Sequence, residues 1–275
     1  MKVLVTGANG YLGQGIVRRL LDDGHQVIAA DLSTSHIDSR ATTIECDLFS
    51  VTNPMEFFLL PDALLHLAWR NGFVHNAISH IEDLPYHYKF IKSFVDSGIS
   101  QIAVLGTMHE VGFYEGSINE NTPTHPQSLY GVAKDALRNA IFALLTNTEV
   151  VCQWIRGFYI VGNSSYGNSI FSKITAAERE GIDEFPFTSG QNQWDFIDYD
   201  VFCNQVAKIV EQNEINGIIN ACSGFPEKLA DRVERFIKEN NYNIKLAYGT
   251  FPDRPYDSKA VWGNNHKISE ILLKR

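Results

Sequence analysis

Along the first 160 residues, short apolar runs alternate with longer stretches in which apolar positions recur every three or four residues. The runs at 3–6, 26–30, 43–46, 63–67, 101–105 and 150–156 read as strands. The stretches at 11–23, 80–97 and 127–145 read as amphipathic helices. Strand alternating with helix predicts a parallel sheet covered on both faces, a doubly wound α/β fold. Gly24, Gly98 and Asn147 stand where helices should stop. From about residue 161 the rhythm changes. Gly, Asn and Ser dominate 162–167, which predicts a loop. A polar helix follows at 169–179 and an aromatic strand at 185–188. Residues 196–200 lead into a further helix, and 217–221 form a further strand. The tail from residue 223 carries two helix-like pieces around 244–248 and a Pro-punctuated loop.

Composition narrows the partners. The chain has 275 residues, 44% of them apolar, and 23 basic against 32 acidic side chains give a net charge of −9. That is globular composition. An acidic surface excludes a general nucleic-acid binder, which needs a basic footprint. A small phosphate-bearing ligand is still compatible, because a few local donors can hold it. No run approaches the roughly 18 apolar residues of a membrane span. The opening residues read as a strand entering a turn rather than as a leader, so a cytoplasmic protein is expected. Cys46, Cys152, Cys203 and Cys222 lie far apart, as reduced and mostly buried thiols would. The histidines show no HxxxH or HExxH spacing, so no metal site is expected. A serine hydrolase is not expected either, since no GxSxG elbow is present.

The candidate chemistry starts at the first strand. Gly7-Ala8-Asn9-Gly10-Tyr11-Leu12-Gly13 joins that strand to the first helix. A glycine-rich turn in this place aims backbone N–H groups at a pyrophosphate. Its spacing is GxxGxxG rather than GxGxxG. The second strand ends in Asp31, an acceptor for ribose hydroxyls that would repel a 2′-phosphate, so NAD is favoured over NADP. Asp47 and Leu48 follow the third strand, where Asp47 reads as an adenine-edge contact or as a turn former. Tyr130 and Lys134, at i and i+4, share one face of a helix. Thr107 ends a strand and so lies at the carboxyl edge of the sheet, where open α/β folds bind ligands.

Together, GxxGxxG, Asp31, His66-Leu67-Ala68, Thr107 and Tyr130-x-x-x-Lys134 resemble the extended short-chain dehydrogenase/reductase family, also called NAD-dependent epimerases/dehydratases. The stretches 156–162 and 194–200 extend the likeness over nearly the whole chain. Residues 106–112 with 134–138 most resemble nucleotide-sugar 4-ketoreductases of the dTDP-6-deoxyhexose kind. The resemblance implies a Rossmann-like domain of residues 1–163 plus about 192–222. It also implies a small substrate-binding lobe of about 164–191 plus 223–275. It implies that hydride passes between NAD and a sugar carbon. Tyr130 then exchanges the proton, Thr107 hydrogen-bonds the sugar oxygen, and Lys134 holds the nicotinamide ribose and lowers the tyrosine pKa. Expected cofactor contacts are Gly7, Asn9, Gly10, Tyr11, Leu12, Gly13, Asp31, Asp47, Leu48, Leu67, Ala68 and Trp69, with Tyr130 and Lys134. Relatives often dimerise through the helices at 80–97 and 127–145, so a homodimer is a further expectation.

Some positions depart from the family. Tyr159 replaces a usual asparagine, and Trp194 replaces a usual arginine that commonly contacts the substrate pyrophosphate. Arg254 is the replacement candidate, with a solvated loop arginine as the alternative. Trp194 and Phe185 could stack on a base or sugar, or pack a core. Asn168 reads as a phosphate contact or a helix cap. Met108 and His109 occupy the place of the dehydratase Asp-Glu pair. Methionine cannot move a proton, which counts against dehydration, and His109 remains a candidate substrate contact. Three functions follow in order: a 4-ketoreductase or dehydrogenase, a nucleotide-sugar 4-epimerase that retains NAD, and a non-catalytic dinucleotide-binding regulator.

Overall fold

The computed structural model describes residues 1–162, 169–253 and 257–274. Seven strands build the main sheet: β1 (Lys2–Thr6), β2 (Gln26–Asp31), β3 (Thr42–Glu45), β4 (Ala63–His66), β5 (Gln101–Thr107), β7 (Val151–Gly157) and β11 (Gly217–Ala221). Their order is β11-β7-β5-β4-β1-β2-β3, and every pair is parallel. The eight helices are α1 (Tyr11–Asp22), α2 (Pro54–Phe57), α3 (Ser79–Asp96), α4 (Leu129–Leu144), α5 (Ile170–Arg179), α6 (Tyr199–Val210), α7 (Leu229–Glu239) and α8 (His266–Leu273).

The sheet's period of two splits its apolar side chains between two cores. Val3 and Val5 of β1, with Val27 and Ala29 of β2, meet Ile16, Val17 and Leu20 of α1 and Phe202 and Val206 of α6. Leu4 and Ile28, on the opposite face, meet Phe90, Ile91 and Phe94 of α3 and Leu137 and Ile141 of α4. Burial on both faces explains why these strands read as continuous apolar runs. This is the Rossmann-like core that the alternation predicts. Among the described residues, no helix is long and apolar enough to cross a membrane.

The remaining strands build a second, mixed sheet to which both units contribute, and a two-stranded pair: β6 (Gly116–Ile118), β8 (Tyr159–Val161), β9 (Glu184–Pro186), β10 (Gln193–Asp198), β12 (Pro226–Lys228), β13 (Lys245–Ala247) and β14 (Ala260–Gly263). They form the sheet β12-β10-β14-β6, with β8 beside β10, and a separate β13-β9 pair. The two tail helices, α7 and α8, flank residues 244–248, and the centre of that stretch is β13 rather than helix. We propose that the two units divide as the sequence suggests, at 1–163 plus about 192–222 against about 164–191 plus 223–275.

Asp195 ties the second sheet together. Its carboxylate is fully buried. It accepts from the N–H and hydroxyl of Ser223 (2.8 and 2.7 Å), the N–H of Gly224 (2.9 Å) and the N–H of Gly263 (3.0 Å). The charge is solvated by protein donors instead of water. Asp195→Asn puts an N–H₂ group against N–H donors. We expect a loss of about 2–4 kcal/mol, from the worth of hydrogen bonds to a charged group, read as a lower melting temperature by calorimetry. An unchanged melting temperature would contradict this role.

Candidate active site

The cofactor-side turn is set by contact with the chain leaving β4. Gly7 lies at φ +70°, and a Cβ there would meet the backbone N of Ala68 at 2.6 Å. Only glycine fits both demands. A Cβ on Gly13 would meet the carbonyl oxygen of Gly7 at 2.2 Å, so α1 begins directly on the turn. Gly10 caps α1 and brings no side-chain acceptor. The N–H groups of Tyr11, Leu12 and Gly13 therefore have no acceptor among the described residues. Donors in this state at a helix N-terminus attract an anion.

Asp31 closes the turn from the side. Its Oδ2 accepts the N–H of Asn9 at 2.9 Å, and its Oδ1 accepts the N–H of Leu32 at 2.7 Å. The Asn9 Oδ1 in turn accepts the N–H of His36 at 2.9 Å. Asp47 accepts the N–H of Phe49 at 3.0 Å and caps the short turn Leu48–Ser50, which is its turn-forming alternative; Leu48 is buried.

The catalytic candidates meet at the end of β5. The Tyr130 phenol lies within the influence of the Thr107 side chain, whose hydroxyl accepts the His109 N–H at 3.3 Å. Burial pushes the Tyr130 phenol up to about 12, and the charge of Glu110 adds to this, while the Thr107 side chain works the other way. Lys134 is buried, and burial pulls its ammonium down to about 7. Its Nζ donates to the carbonyl of Leu105 at 2.7 Å and lies 3.8 Å from the centre of the Trp69 ring. The Lys134 head group is turned onto Leu105 and the Trp69 face, and burial dominates the phenol.

Two groups surround this centre, and the sequence alone gives no role to Glu110 or to His75, His80 and His87. One is Glu110. Its Oε1 accepts the N–H of Thr107 and the indole N–H of Trp154, both at 2.8 Å. Its Oε2 faces Arg156 at 3.5 Å and Arg138 at 3.6 Å. Thr107-x-x-Glu110 is a capping box, a spacing visible in the sequence. The other is a set of rings. His75 stacks on Tyr130 at 5.4 Å and 13°, and His109 lies 4.6 Å from His75. Trp69 stacks on His87 at 4.4 Å and donates its N–H to His80 Nδ1 at 2.9 Å. His87 Nδ1 bonds His66 Nε2 at 2.9 Å, and His66 Nδ1 bonds the Thr6 hydroxyl at 2.8 Å. These residues come from separate elements, so no local spacing announces them.

The remaining candidates are dispersed. Met108 is buried with Val111, Ile118, Phe158, Cys222 and Val261, so its side chain packs in a core. Phe185 is half-buried against the cluster of α5 and α7. Trp194 stacks on Tyr159 at 4.8 Å and 11° and donates its N–H to the carbonyl of Ser258 at 3.0 Å. Asn168 and Arg254 lie outside the described residues.

Comparison with known proteins supplies the family. A model of the NAD dependent epimerase/dehydratase family matches residues 3–222. The chain belongs to the NAD dependent epimerase/dehydratase family. It is 43% identical to dTDP-6-deoxy-L-talose 4-dehydrogenase (NAD(+)) of Aggregatibacter actinomycetemcomitans, over 96% of this chain and 99% of that one. It is 24% identical to a probable UDP-arabinose 4-epimerase of Oryza sativa subsp. japonica, over 98% of this chain and 74% of that one. The fold also matches that of a UDP-glucuronic acid 4-epimerase from Bacillus cereus, solved with UDP-glucuronic acid and NAD. That match has a TM-score of 0.81 and 19% identity, and covers 100% of this chain and 94% of that one.

Family membership makes the chain an NAD-dependent enzyme, and the residues present fit NAD. The unmatched N–H groups of α1 suit a pyrophosphate, and Asp31 at the end of β2 suits a ribose. The Lys134 ammonium gives one of its three N–H bonds to Leu105, which leaves two for hydroxyl oxygens.

The buried imidazoles make stability pH-dependent. Burial pulls His66, His87 and His109 down to about 3, 2 and 4. As pH falls below the free-histidine value of ~6.5, the unfolded chain binds protons that the fold refuses. Stability present above that pH is then lost on acidification. We expect melting temperature to fall from about pH 6.5 to pH 5, before carboxylates titrate appreciably. A constant melting temperature over that window would contradict this account.

Proposed function

We propose that this chain acts on a nucleotide-linked hexose, moving a hydride between its C4 carbon and NAD, with net interconversion of a 4-keto and a 4-hydroxy group on a 6-deoxy sugar. Bound NAD supplies the hydride acceptor, or the donor when reduced. The observation that carries the reading is Tyr130, a phenol held protonated by burial beside Thr107. In the reducing direction Tyr130 gives its proton to the C4 oxygen, and Thr107 donates to the same oxygen. In the oxidising direction Tyr130 must first be ionised. Burial raises that requirement in the free chain. Identity of 43% along essentially the full length of a 4-dehydrogenase supports the same reading.

A second reading is favoured by number. Further plant relatives at 23–24% identity and several solved structures with the same fold are named 4-epimerases. An epimerase would use the same three side chains twice on one substrate and keep its NAD. In either reading, Lys134 holds the nicotinamide ribose, Asp31 holds the adenosine ribose, and the start of α1 holds the pyrophosphate. His109, Tyr159 and Trp194 face the substrate side. A homodimer through α3 and α4 belongs to the same proposal, with Ile81 and Tyr86 of α3 and Val132 of α4 exposed.

The test is a panel of dTDP-, UDP- and GDP-linked 4-keto-6-deoxysugars with NADH or NADPH, followed at the nicotinamide absorbance band. Oxidation of NADH by one of them supports the reductase. Interconversion of 4-epimers by protein carrying its own NAD, with no added cofactor, supports the epimerase instead, and silence in both assays refutes both. Tyr130→Phe should cut kcat by about 10²–10⁴, the usual worth of a positioned acid, and leave NAD affinity nearly unchanged. Loss of NAD binding with kcat retained would contradict the assignment. Asp31→Ala should weaken NAD about ten- to a hundredfold, the worth of a hydrogen bond to a charged group, and narrow the preference over NADP. An unchanged preference would remove Asp31 from the ribose.

A further inference from the structure

The segment between β4 and α3 runs over the start of α4. Its own fold is fixed at several points. The Trp69 indole donates to His80 Nδ1, and the other ring nitrogen, Nε2–H, donates to the carbonyl of Val74 at 3.0 Å. Asn71 donates through its amide to the Ser79 hydroxyl at 3.0 Å, and Arg70 is paired with Asp83 at 2.9 Å. The segment then supplies acceptors to the helix that carries Tyr130. The carbonyl of His75 accepts the Tyr130 N–H at 2.8 Å, and Asn76 Oδ1 accepts the Leu129 N–H at 3.2 Å. Ser128, the helix's own cap, takes the next N–H, that of Gly131, at 3.1 Å. Two of the first three amide donors of α4 are thus satisfied from outside the helix.

The same residue also holds the Tyr130 side chain. The His75 ring lies nearly parallel to the phenol, at 5.4 Å and 13°, while His75 as a whole is exposed. Burial holds the imidazole below its ordinary pKa, so the ring is the covered part of an otherwise exposed residue. Its contacts are the Tyr130 ring and the His109 ring behind it. Backbone bond and ring stack converge on one residue, the proposed proton donor.

We propose that His75 is a positioning residue for Tyr130: its carbonyl fixes the first turn of α4 and its ring fixes the phenol, so that the hydroxyl stays beside Thr107. This rests on the reading of Tyr130 as the acid of the reaction. Misplacement of a reacting group by a fraction of an ångström costs rate rather than binding. Ring and carbonyl of His75 thus both meet Tyr130.

The test compares His75→Ala with His75→Phe, which keeps a flat ring. In His75→Ala, kcat should fall about tenfold while KM and NAD affinity stay within about twofold, as for a group acting only in the chemical step. Hydrogen exchange of the Tyr130 and Leu129 amides, followed without substrate, should quicken about tenfold as local opening becomes easier. His75→Phe should restore most of both. Asn76→Ala should quicken exchange at Leu129 alone. Unchanged exchange and kcat in His75→Ala would overturn the proposal, as would a Phe variant as impaired as the Ala variant. If the wild type reduces no sugar, the functional reading fails and the exchange comparison still decides whether His75 clamps α4.

Discussion

Three backbone N–H groups at the start of α1 lack an acceptor among the described residues, and much of the molecule serves to leave them so. Gly7 packs against the chain leaving β4 so closely that no side chain fits, and Gly13 brings the helix down onto the turn. The helix is held from behind as well. The Tyr199 hydroxyl at the start of α6 donates to the carbonyl of Tyr11 at 2.5 Å, and α6 shares a core with α1. With β1 inside the sheet, between β4 and β2, that deficit of acceptors sits where strands and helices converge. A chain of net charge −9 has no general attraction for phosphate. In the proposed reading it holds a pyrophosphate through fixed local dipoles, whose range is about one helical turn.

The proton chemistry is arranged by the same means on the neighbouring strand ends. Burial raises the Tyr130 pKa and lowers that of Lys134. Glu110 braces the turn that presents Thr107, and its charge is answered by Arg156 and Arg138 beneath the site. Glu110, Trp154, Arg138 and Arg156 form a buried polar cluster beneath the site, with Arg138 also paired to Asp135 and Arg156 also donating to the carbonyl of Asn119.

Much of this was legible in the residues. The apolar runs told of a parallel sheet because burial on both faces leaves no polar alternation. The glycine turn, Asp31 and the Tyr130–Lys134 pair were legible because each is a short motif at a defined strand end. The capping box Thr107-x-x-Glu110 is equally visible, as a spacing in the sequence. Other features have no local signature. Strands of three residues, such as β6, β8 and β12, are too short to show a period, and their partners are distant in sequence. The seat of Lys134 on Trp69 and the cover of His75 over Tyr130 join segments 65 and 55 residues apart, by their numbering. Only the fold brings them together.

In the proposed reading, geometry rather than charge holds the anionic cofactor. Calorimetric titration of NAD into the chain over about 50 to 500 mM salt tests it, since screening shortens from roughly 14 Å to about 4 Å across that range. Dipoles in contact with the pyrophosphate predict an affinity that changes by less than about threefold, or rises as repulsion from the acidic surface is screened. A steep loss of tenfold or more, the mark of a site built from exposed cations, would contradict it.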